Sequence, residues 1–103
     1  MKLTREEALK YHRQMWTDMQ KELGNKPNGG ERVLFKENWC DEHFPDEYIE
    51  SNCFLCEYNR NVDDGRCKYC LIVWPYGECI NHQYYYNTPI SEILALPERK
   101  VIE

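Results

Sequence analysis

Between Thr4 and Gly24 the same face of the chain returns every three or four positions. Ala8, His12, Met15, Met19 and Leu23 form one row, with Leu9 and Trp16 beside it. That is the period of a helix with one side turned inward. Thr4 followed three residues later by Glu7 reads as a capping box, and Gly24 offers a C-terminal stop, so the pattern predicts a helix over 5–23. Its Met and Trp face is expected to be core anchored by Trp16, with a dimer seam as the alternative.

The stretch GNKPNGG, 24–30, is dense in turn formers and separates this helix from the rest of the chain. ERVLFKENW, 31–39, fits a short second helix, although Val33, Leu34 and Phe35 alone would fit a strand equally well. Pro45 is expected to open a helical turn in the acidic segment beyond it. Thr88 before Pro89 has the form of an N-cap and first helical residue, with Ile90, Ile93 and Leu94 on one face and Pro97 as the stop, predicting a last helix over 88–97. No internal repeat is visible.

At 103 residues, 42% hydrophobic and 30% charged, the chain has the size and balance of one domain, 1–103. Eight tyrosines and three tryptophans exceed what a minimal core needs, so some are expected at contacts on the surface. The net charge of −5 is unevenly spread: residues 37–57 hold seven acids and no Lys or Arg, whereas residues 1–36 hold eight Lys/Arg against five acids. The basic stripe of a conventional DNA-binding domain is missing. The opening MKLTREEALK has no apolar leader, and no run approaches a membrane span. The expectation is a cytoplasmic protein, in whose reducing surroundings six cysteines point to metal or thiol chemistry rather than to disulfides.

The cysteines are spaced for metal. Cys53 and Cys56 form one Cys-x-x-Cys pair and Cys67 and Cys70 a second, ten residues on, with the reversal signal Asp64-Gly65 between them. Two such turns face to face supply the tetrahedral four-sulfur set of a structural zinc, with no open position for catalysis. A redox pair would require a thiolate at a helix N-terminus in a βαβ setting. Cys40 with His43 and Cys79 with His82 add two Cys-x-x-His pairs. One zinc is favoured; a cross-braced pair of zinc ions that recruits Cys40, His43, Cys79 and His82 is the alternative. The fold class expected is small α+β, mostly α. In it the helices 1–23 and 88–97 pack around a zinc-knuckle, zinc-ribbon-like hairpin in 51–86, with a short helix and acidic segment over 31–50.

Cys53-Phe-Leu-Cys-Glu-Tyr58, the pair Cys67 and Cys70 with Trp74 beyond, and Cys79 together resemble small cysteine-rich zinc-binding proteins of bacteriophages and prophages. His12-Arg13-x-x-Trp16 and Leu96-Pro-Glu-Arg99 extend the resemblance to both ends. Leu71 stands where those relatives usually carry proline. The resemblance implies a zinc-binding accessory protein, not an enzyme, acting in a bacterial host cell by binding a host or phage macromolecule, host defence machinery included.

Three function classes are compatible with these features. The first is an interaction module that displays Asp41, Glu42, Phe44, Asp46, Glu47, Tyr48 and Glu50 to a protein partner with a basic or nucleic-acid-binding surface, and so modulates or inhibits it. The second is single-stranded nucleic-acid binding, with Tyr58, Trp74, Tyr84, Tyr85 and Tyr86 stacking bases beside Arg60, Arg66 and Lys68, against the net acidity of the chain. The third is an enzyme using Cys40 with His43 or an open zinc site. No GxSxG, P-loop or HExxH motif supports it.

Overall fold

Thr4 accepts the Glu7 backbone N–H at 3.1 Å, and Glu7 accepts the Thr4 N–H at 2.9 Å, so the capping box starts α1, Arg5–Leu23, where the sequence predicts. Gly24 ends it in the left-handed region, φ 84°, donating its N–H to the Gln20 carbonyl. The computed structural model describes residues 1–49, 52–63, 70–74 and 88–99. Ala8, Leu9, Met15, Trp16 and Met19 are each at most 4% exposed, which makes the Met and Trp face core.

The second helix, α2, runs Gly29–His43, well beyond the 31–39 expected. A second capping box sets its start: Asn28 accepts the Glu31 N–H at 2.8 Å and Glu31 accepts the Asn28 N–H at 3.1 Å. Its buried face is Arg32, Lys36, Trp39 and Cys40, while Val33 and Leu34 are 48% and 59% exposed. The helix is thus partly inverted, with cations inside and apolar side chains outside. That inversion explains why the apolar run misreads its boundaries. Trp16 makes the burial tolerable: the Arg32 guanidinium and the Lys36 ammonium lie 5.9 and 5.8 Å from its ring centroid.

Pro45 opens no helical turn. It sits in a turn closed by the Glu47 N–H on the Phe44 carbonyl at 3.1 Å. Helix α3, Phe54–Asp63, comes next, and the last helix, α4, is only Ile90–Ala95. Thr88 does not cap α4. Asn25 does so from the first loop, its carbonyl accepting the Ile90 N–H at 2.8 Å and its Oδ1 the Ser91 N–H at 2.9 Å.

Helix α1 is the element against which α2, α3 and α4 pack. Phe54, fully buried, is the hub of an aromatic cluster with Tyr11, Trp39 and Phe44, centroids 5.4, 5.6 and 5.7 Å away. The β content among the described residues is a single antiparallel bridge, Ile72 to Glu98. The radius of gyration, 12.9 Å, is close to the ~13 Å expected for a compact domain of this length. The fold is a small, mostly helical domain.

Candidate functional site

The chain turns at Asn52, φ 51°, and delivers Cys53 to the head of α3. There the Cys53 carbonyl accepts the Glu57 N–H at 3.0 Å, and its sulfur lies 3.4 Å from the Cys56 N–H. Cys53 therefore does with sulfur what Ser or Asp usually does with oxygen at a helix start. It is 5% exposed, and Cys56 is half-buried. The Cys56 thiol, then the Lys36 charge and the amides of Cys56 and Leu55, hold the Cys53 thiol below its usual range against the upward push of burial.

Cys40 has the opposite character. Burial pushes its thiol up to about 11, with Asp41 and Cys53 adding to the rise and Lys36 opposing it. Cys40 is a neutral, core-packed thiol beside a neighbour held toward thiolate. His43, three residues on, is exposed and stacks on the Trp39 ring at 3.8 Å, its Nδ1 at 2.9 Å from the Trp39 carbonyl. Cys70 is buried, its sulfur 3.4 Å from the Trp74 indole N–H and its carbonyl accepting from Arg99 Nε at 2.8 Å.

The site as described is a pair. Cys53 and Cys56 fit two positions of a zinc ion: both sulfurs come from one turn, and one is held toward the anionic form that metal binding needs. Among the described residues no group of three or more His, Cys, Asp or Glu side chains gathers to hold a metal. Cys67, Cys79 and His82 lie outside the described residues. The ten-residue helix α3 starts directly after Cys53 and holds Cys56 in its first turn, while most of the segment expected to form the knuckle hairpin lies outside the described residues.

Asp41, Glu42, Asp46, Glu47 and Tyr48 are exposed along the end of α2 and the turn after it; Glu50 lies outside the described residues. Glu47 is 3.7 Å from the Met1 amino group. Phe44 points the other way, partly buried and edge-on to Tyr11 at 5.1 Å, so it anchors this segment to α1. Trp74 is buried at 4% exposure, which removes it from the base-stacking platform; Tyr84, Tyr85, Tyr86, Arg66, Lys68 and the Arg60 side chain lie outside the described residues.

Sequence reasoning missed Lys36 and Glu57. Lys36 stands four residues before Cys40, so helical periodicity places both on one face once α2 is known to extend that far. Glu57, fully buried, accepts from the Met1 amino group at 2.9 Å. No local signal marks it.

No family model matches the chain, and no curated protein or solved structure matches it. No helix among the described residues is long and apolar enough to cross a membrane.

Proposed function

We propose that this protein is a non-enzymatic interaction module built on structural zinc, whose exposed acidic segment meets a basic partner protein. The carrying observation is the head of α3, where Cys53 and Cys56 share one turn and Cys53 is held toward thiolate by a thiol, two amides and a buried lysine. Cys67 and Cys70 complete the ligand set in this reading. Bound there, zinc supplies a crosslink between the two Cys-x-x-Cys turns and folding energy rather than an open catalytic position. Asp41 and Glu42 on the end of α2, and Asp46 and Glu47 in the segment after it, then face solvent and steer a cationic partner. The resemblance to phage cysteine-rich proteins favours a host or phage macromolecule as that partner.

Elemental analysis with native thiol titration tests this. One zinc per chain is expected, lost in Cys53→Ser and Cys70→Ser and retained in Cys40→Ala. Two per chain, with one lost in Cys40→Ala, would assign a second ion to Cys40, His43, Cys79 and His82. Metal-free protein with Cys53 and Cys56 intact would overturn the reading.

A second reading, a dithiol redox pair, is favoured by the same helix-head placement. Cys53, the sulfur held toward thiolate, is only 5% exposed, though, whereas such chemistry requires an accessible attacking thiol. A Cys53–Cys56 disulfide formed reversibly in a glutathione buffer, in protein without zinc, would select it.

A further inference from the structure

Between α1 and α2 lies a groove of about 320 Å³ that takes no part in the cysteine site. Asp18 and Glu22, one helical turn apart on α1, form one side; Phe35, Trp39 and Glu42, a single stripe on α2, form the other, with His43 at the end. The wall is built rather than incidental. The Trp39 indole N–H donates to Asp18 Oδ2 at 2.9 Å, and the His43 ring lies on the Trp39 ring at 3.8 Å and 17° from parallel, pinned by its Nδ1 at the Trp39 carbonyl.

Three carboxylates thus line a groove beside one aromatic stack, in which Trp39 is buried, 4% exposed, and the exposed ring is that of His43. Among the described residues no cation pairs with any of the three: the described ion pairs involve Glu47, Glu57 and Glu98. Lys36, on the same helix, turns its ammonium toward Trp16 instead. A concave site with unneutralised negative charge on both rims and the exposed His43 ring, backed by Trp39, at its end excludes anions. It also disfavours an apolar ligand, which would strip water from the carboxylates with nothing in return.

We infer that this groove takes the guanidinium of an arginine side chain from a protein partner. A guanidinium is flat and weakly hydrated, so it lies on an aromatic face, and its fork reaches carboxylates on two sides at once. An ammonium is a compact point charge that would use the carboxylates and leave the stacking face idle. The inference rests on the reading of this chain as a partner-binding module and gives that partner a chemistry.

The test is a titration of the full-length protein with N-acetyl-arginine amide, followed at the Trp39 indole N–H by NMR, with the citrulline and lysine amides alongside. Arginine amide is expected to move that resonance saturably, beyond the effect of equal NaCl. Citrulline amide should leave it in place and lysine amide should bind more weakly. Glu22→Gln with Glu42→Gln should weaken arginine binding about tenfold, as loss of charge-assisted hydrogen bonds does. Both side chains are exposed and outside the described ion pairs, so an unchanged spectrum elsewhere shows the fold intact. No response to arginine amide, an equal response to citrulline or lysine amide, or a double variant that binds as the parent does, overturns the inference. Zinc measured on the same samples separates the two readings: metal present without an arginine response defeats the groove alone, and an arginine response in metal-free protein defeats the zinc module alone.

Discussion

His12 sits on the buried face of α1, 2% exposed, with its ring edge-on to Trp16 and Trp74 and no hydrogen-bond partner for Nε2. Burial first, then the charges of Lys36 and Arg13, lower its pKa from 6.5 to about 3. The unfolded chain therefore takes up a proton that the folded chain refuses. Its contribution to stability is complete above pH 6.5 and declines as the pH falls toward 3, by up to about 1.4 kcal/mol per pH unit. His12→Leu should flatten this decline between pH 4.5 and 6.5, as read by urea denaturation. Its cost at pH 7 should stay below about 1.5 kcal/mol, because Nε2 has no hydrogen bond to lose. A slope unchanged in the variant would assign the acid sensitivity to other groups.

Among the elements, α1 was legible from end to end, because its cap, its period and its glycine stop are all local and agree. Helix α2 was half legible: Asn28, its cap, lies in the 24–30 stretch that reads as loop, and the buried face carries two cations where periodicity looks for apolar residues. At α4 a local signal failed. Thr88 and Pro89 have the right chemistry for a start, yet the helix is only Ile90–Ala95 and takes its cap from Asn25, 66 residues away from Ser91 in sequence. A helix this short is marginal without outside support. Asn25→Ala, which also removes hydrogen bonds to Gln20 Nε2 and Ser91 Oγ, should destabilise the protein by about 1 kcal/mol. The effect should appear as faster hydrogen exchange of α4 amides, with α1 protection unchanged. Equal loss of protection in α1 would show that α4 does not open on its own.

Across the whole molecule, the tie that matters is Arg32. It is fully buried, donating from Nε to the Pro27 carbonyl at 2.9 Å and from its terminal nitrogen to the Thr88 carbonyl, and so joins the first loop to the start of the last segment across the face of Trp16. Arg32→Met keeps much of the volume and leaves two buried carbonyls without these donors, so a loss of about 2–4 kcal/mol is expected in denaturant unfolding, with little change in slope. A loss within about 0.5 kcal/mol would mean that water or another donor replaces the guanidinium. Neighbours along the chain suffice to specify the α1 capping box, the core face of that helix, two sulfurs three residues apart, and the run of acids that ends up exposed at the end of α2 and just after it. Chain neighbours do not specify which cations are buried, that Phe44 faces inward, that Lys36 stands near Cys53, or that Asp18 and Glu22 meet Trp39 and Glu42 across a groove; those came from the packed fold. The difference is one of range. Capping and periodicity act within a turn or two of helix, whereas burial of Arg32 and Lys36 requires Trp16 and the Thr88 carbonyl to arrive from distant parts of the chain.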